Sequence, residues 1–117
     1  TRVRSSAASD VYKRQGKPYV WGGAGPDSFD CSGLTAWAWG HAGHFLPHSA
    51  AQQQSDTTFV PISQLQPGDL VFYGSPPHHV GIYVGNGQMI DALHSGTNVE
   101  YDSIYLEGDL TGGGRVY

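Results

Sequence analysis

Cys31, in the stretch FDCSG at 29–33, is the only thiol of the chain. It falls where a helix is expected to begin. There the free backbone N–H groups and the positive end of the helix dipole stabilise a thiolate and make it a nucleophile. The plainer reading is a small buried hydrophobe, which describes most free cysteines. A thiol nucleophile needs a base to take its proton and a third group to orient that base. Six histidines are available: His41, His44, His48, His78, His79 and His94. His41 and His44 fall at the end of the expected helix, as exposed groups or partners of its dipole. His79 differs, because it opens a β-prone run in which Val80, Ile82 and Val84 alternate into the core. The same alternation puts His79, Gly81 and Tyr83 on the opposite face, with the glycine leaving space beside the imidazole.

The following turn, GNG at 85–87, decides what stands near His79. A two-residue Asn86-Gly87 loop sets His94 across from His79 and turns Asp91 to the other face. A three-residue Gly85–Gly87 loop shifts the register by one and brings Asp91 onto the face of His79, diagonally adjacent. Local turn chemistry slightly favours the first, and Met89-Ile90-Asp91 is too short a run to arbitrate.

The elements that must position these groups are legible in outline. Residues 31–43 read as a helix capped by Asp27, Ser28 or Asp30, with Cys31, Leu34 and Ala38 on one face and Gly43 as its stop. Leu46-Pro47 breaks the chain, and a second short helix follows Ser49. A β-prone run at Tyr19–Trp21 precedes the first helix. After Pro61 come short strands at 69–73, 79–84, 88–92, roughly 98–101 and 115–117. Helices followed by a strand meander point to an α+β domain with a mostly antiparallel sheet.

At 117 residues the chain is one domain with a single core. One cysteine forms no internal disulfide, and no apolar run is long enough to span a membrane. Four of the six basic residues lie in residues 1–15, so residues 16–117 hold two basic and nine acidic groups. That balance excludes a nucleic-acid footprint and disfavours anionic surfaces. Residues 1–15 show neither helical nor strand periodicity. They read as a disordered tail or as sequence foreign to the native gene, with the folded domain at 16–117.

YVWGG at 19–23, FDCSGL at 29–34, LPHSAAQQ at 46–53, LQPGDLVFY at 65–73 and HVGIYVGNGQMIDA at 79–92 together resemble the NlpC family of papain-like cysteine peptidases of bacterial cell walls. The resemblance covers nearly all of residues 16–117. It is nearest to the actinobacterial peptidases that work with resuscitation-promoting factors. It implies a papain-like core with N-terminal helices packed on the sheet, Cys31 as nucleophile, His79 as base and Asp91 as the third residue. The last assignment selects the longer turn. Many relatives have His at the third position and some have Glu; Asp is shorter than either. The resemblance further implies an oxyanion site from the backbone N–H of Cys31 and the Tyr19 hydroxyl. It places Asp30, Ser32 and His48 in contact with the stem peptide of peptidoglycan. For Asp30 and Ser32 the competing role is helix capping; for His48 it is a solvent-facing helix leader. Trp21, Trp37 and Trp39 read as core or cleft walls.

The activity implied is hydrolysis of the γ-D-glutamyl–diamino-acid bond by a monomer outside the cytoplasmic membrane, without cofactor or metal. Three rivals remain at this level. Cys31, His78, His79, Asp91 and His94 are all metal-ligand types, but their spacing is poor for a shared ion. An N-acetylmuramoyl-L-alanine amidase or an acyltransferase keeps the fold and changes the reaction. A non-catalytic wall-binding domain keeps only the fold.

Overall fold

The computed structural model describes residues 7–11 and 13–116. Helix α1 spans Cys31–His41. It begins because Asp30 is held extended while its carboxylate accepts the N–H of Gly33. It ends in a Schellman motif: Gly43 takes a left-handed conformation, its N–H donates to the Gly40 carbonyl, and the His44 N–H donates to the Trp39 carbonyl. Helix α2, Ala50–Ser55, is capped by Ser49.

Six antiparallel strands follow: β1 (Thr58–Val60), β2 (Leu70–Tyr73), β3 (His79–Gly85), β4 (Gln88–Asp91), β5 (Glu100–Ser103) and β6 (Leu110–Arg115). They form one sheet in the order β1-β6-β2-β3-β4-β5. Helix α1 packs against this sheet at β3. Leu34, Ala38 and Trp39 of the helix join Leu70, Phe72, Val80, Ile82, Ile90 and Ala92 in one core. Val71, Tyr73, Met89 and Ile104 form a second, smaller cluster. This is the expected α+β architecture of helices on an antiparallel sheet. Among the described residues no helix is long and apolar enough to cross a membrane.

A buried hydrogen-bond knot joins the two helices. Gln53 is fully buried; its amide donates to the carbonyls of Ser32 (2.9 Å) and Pro47 (2.8 Å) and accepts from Thr35 Oγ1 (2.6 Å). The knot anchors α2 to the first turn of α1, beside Cys31. At the far side of the sheet, Arg115 forks onto buried Asp69, with Nε to Oδ1 at 3.0 Å and Nη2 to Oδ2 at 2.8 Å.

Four expectations need correction. Strand β1 was not foreseen, and the last strand lies at Leu110–Arg115 rather than 115–117. Its glycines disguise it as a turn, yet close packing requires them. A Cβ would sit 2.7 Å from Phe59 Cε1 at Gly112, 2.4 Å from Leu65 Cδ2 at Gly113 and 2.2 Å from Thr57 Oγ1 at Gly114. Residues Tyr19–Trp21 form no strand; Pro18 and Tyr19 make only single bridges to Asn98 and Phe29. Finally, residues 7–11 of the supposed tail are helical, with Ala7 and Val11 fully buried against the main core. The spacing of Ala7, Ala8 and Val11 places all three on one helical face. Residues 1–6, 12 and 117 lie outside the described residues, so the expected strand at 115–117 is tested only as far as residue 116.

Candidate active site

Cys31 is the first residue of α1 and is partly exposed. Its backbone is fixed by the residue before it. Asp30 Oδ1 accepts from Gly33 N (2.7 Å) and contacts His48 Nε2 (2.6 Å), while Oδ2 accepts from Gly22 N (3.0 Å). One carboxylate thus ties together the glycine loop, the helix start and the approach to α2. This makes Asp30 a cap first. Asp30→Ala is expected to lower stability by about 1–2 kcal/mol, the usual loss for a helix cap. Urea denaturation of both proteins measures it.

His79 opens β3 and is buried, and its Nε2 lies 2.7 Å from Asp91 Oδ2. Asp91 ends β4 and is fully buried. The β3–β4 hairpin contains both turn alternatives. At its tip Gly85 pairs with Gln88 around the two-residue Asn86-Gly87 turn, whose residues both have positive φ. A bulge between Tyr83 and Gly85 then shifts the register, so Tyr83 faces Met89 and Ile82 faces Ile90. One extra residue moves Asp91 onto the face of His79. Gly81 makes room: a Cβ there would meet Met89 Sδ at 2.6 Å and Asp91 Cβ at 3.2 Å. His94, the other alternative, is exposed and turns to its own loop, with Nδ1 2.9 Å from the Ser95 carbonyl.

Burial pushes the Asp91 carboxyl up to about 6, offset in part by hydrogen bonding with Asp102 and reinforced by Glu100 and Glu107. Near neutral pH the ionised Asp91 accepts from His79 Nε2–H, which leaves Nδ1 as the nitrogen to take a proton from a thiol. Tyr73 backs the imidazole, with ring centroids 5.5 Å apart.

Cys31 and His79 line one cleft of about 350 Å³, together with Tyr19, Trp21, Asp30, Ser32 and His48. The Tyr19 phenol is raised, first by burial and then by the charges of Cys31 and Asp30, so it stays a neutral donor beside the thiol. Trp21 is 85% exposed and forms a cleft wall, whereas Trp39 is buried and donates to the Gly68 carbonyl. The adjacent His78 and His79 point to different partners, Asp109 and Asp91. His78 also gathers with Glu107 and Asp109 near the cleft. Sequence reasoning missed Gln53, Asp102 and the bulge; only the last carried a local signal, in the conflict between the two turn registers.

The sequence profile of the NlpC/P60 family matches residues 16–109 and begins where the basic N-terminal segment ends. A probable endopeptidase p60 of Listeria seeligeri is 50% identical over 113 residues, covering 92% of this chain and 21% of its own length. The bifunctional muramidase/DL-endopeptidase CwlT of Bacillus subtilis is 39% identical, covering 92% of this chain and 35% of its own. The chain therefore spans only about a fifth to a third of these relatives. Among solved structures, the NlpC/p60 domain of the peptidoglycan hydrolase SagA superposes with a TM-score of 0.88 at 35% identity, over 95% of this chain and 97% of that domain. The peptidoglycan hydrolase RipB of Mycobacterium tuberculosis gives a TM-score of 0.88 at 29% identity, over 98% of this chain and 65% of its own. On this agreement of profile, sequence and fold, the chain belongs to the NlpC/P60 family, whose relatives named here are endopeptidases and peptidoglycan hydrolases.

Proposed function

We propose that this domain is a cysteine endopeptidase that hydrolyses the γ-D-glutamyl–diamino-acid bond of peptidoglycan stem peptides, outside the cytoplasmic membrane. The observation that carries the proposal is the sharing of one cleft by Cys31 at a helix N-terminus and His79 held by buried Asp91. The name DL-endopeptidase, borne by CwlT, supports the choice of bond.

In this reaction the imidazole of His79 takes the Cys31 proton at Nδ1, and the thiolate attacks the γ-carbonyl carbon of D-Glu. The carbonyl oxygen becomes an oxyanion, which the Cys31 N–H and the Tyr19 hydroxyl stabilise. Collapse breaks the C–N bond, and His79 returns its proton to the leaving amine of the diamino acid. Water, activated by the neutral imidazole, then hydrolyses the thioester and frees Cys31. Asp91 fixes the tautomer throughout and stabilises the imidazolium. Asp30, Ser32 and His48 border the nucleophile where the peptide must lie.

The oxyanion role of Tyr19 has its own consequence. Tyr19→Phe keeps the ring and removes the donor, and is expected to lower kcat about 10²-fold with little change in KM. Steady-state kinetics on a purified muropeptide reads both. The proposal itself is tested by incubating the domain with disaccharide-peptides and identifying products by mass spectrometry. A free diamino-acid-containing fragment and a chain ending in D-Glu support it. Release of the whole stem peptide from muramic acid would mark an amidase instead.

A further inference from the structure

Behind the His79–Asp91 pair lies a second carboxyl group. In the β4–β5 register Met89 faces Asp102 and Asp91 faces Glu100, so Asp91 and Asp102 are diagonal neighbours on one face of the sheet. This places the two carboxyl groups close enough to share a hydrogen bond if one of them carries a proton. Asp91 uses Oδ2 for His79, while its Oδ1 and the Oδ2 of Asp102 are buried, and no other N–H or O–H among the described residues reaches them. Ionised carboxylates only accept hydrogen bonds, so two in buried contact are satisfied only if one carries a proton.

We propose that Asp102 is a positioning residue: as a carboxylic acid it donates to Asp91 Oδ1, leaving Oδ2 ionised and aimed at His79 Nε2. The inference rests on the peptidase reading for its catalytic consequence, though not for the shared proton itself. The surroundings favour protonation of the pair. Glu100 on β5 and Glu107 beyond it add negative charge, Tyr73 on β2 stays a neutral phenol that donates to the Ile104 carbonyl, and among the described residues His79 is the basic side chain in contact with the pair. Burial raises both carboxyl groups, Asp91 to about 6 and Asp102 to about 7, so the pair retains a proton more readily than free carboxylates do; because Asp91 Oδ2 is engaged by His79 Nε2, Asp102 is the partner left to carry it. Because the folded-state values are raised, the pair supports the fold at low pH and loses that support as pH climbs towards and past 7. Above that point two carboxylates repel each other behind His79.

The test compares Asp102→Asn, which keeps a permanent donor, with Asp102→Leu, which keeps the approximate volume and has none. In wild type, kcat for muropeptide cleavage should fall on the alkaline side with a midpoint near 7. Asp102→Asn should stay within about threefold of the wild-type maximum and lose that alkaline fall. Asp102→Leu should lower kcat on the order of 10²-fold with KM nearly constant, as expected for a misaligned base. Thermal melting between pH 4 and 8 gives a readout independent of activity: the Tm of Asp102→Asn should gain on wild type as pH rises. Equal kcat losses in Asn and Leu, or an Asn variant with the wild-type pH profile and melting curve, would overturn the proposal. If wild type cleaves nothing while the melting curves diverge as described, the peptidase reading fails and the shared proton stands.

Discussion

Cys31→Ala is expected to abolish stem-peptide cleavage, by at least about 10⁴-fold in kcat, because it removes the thiol that forms the acyl-enzyme, and the hydroxyls of Ser32 and Ser49 that also line the cleft are far weaker nucleophiles. The chain holds no second cysteine to substitute for it. The fold should hardly notice. Cys31 is partly exposed at the first position of α1, and the cap that starts the helix belongs to Asp30. Alanine suits a helix, so the stability change should stay within about 1 kcal/mol. Mass spectrometry of digests together with a thermal melt therefore separates loss of chemistry from loss of structure. Cys31→Ser should be almost as inactive, since a hydroxyl is far harder for an imidazole to deprotonate.

His79→Ala should lower kcat about 10³-fold, the scale of a lost general acid–base group. Here a structural penalty is expected as well. The imidazole is buried, and its removal opens a cavity and leaves Asp91 Oδ2 without its donor. Burial already raises Asp91 to about 6, so the orphaned carboxyl can relieve the defect by taking up a proton below that pH and cannot do so well above it. The Tm deficit of His79→Ala should accordingly be larger at pH 8 than at pH 5. His79→Gln offers Asp91 an amide donor without a base. It should recover much of the stability and none of the activity. Recovery of activity by glutamine would mean that His79 only supports the sheet.

Much of this site was legible because its residues obey short-range rules. Cys31 announces itself by following a capping Asp, and β3 by the strict alternation of Val80 and Ile82 around Gly81. The partner of His79 was harder. The tip of the hairpin follows turn chemistry, whereas the register at Asp91 depends on a bulge at Val84, which the turn residues signal only as a choice between two registers. Resemblance to relatives selected Asp91 where local pattern left His94 open. Strand β6 stayed hidden for a different reason: its glycines are demanded by Phe59, Leu65 and Thr57 from elsewhere in the chain, and tertiary crowding leaves no local mark. Gln53 and Asp102 were equally silent, since a polar side chain in an exposed-looking stretch becomes a buried anchor only once its partners are in place.

The most direct test of the central claim is a paired digestion of a defined disaccharide-tetrapeptide by the wild-type domain and Cys31→Ala, read by mass spectrometry. The account predicts cleavage between D-Glu and the diamino acid by wild type and none by the variant. Cleavage at that bond by both proteins, or no cleavage by a folded wild type across several stem peptides, would contradict it.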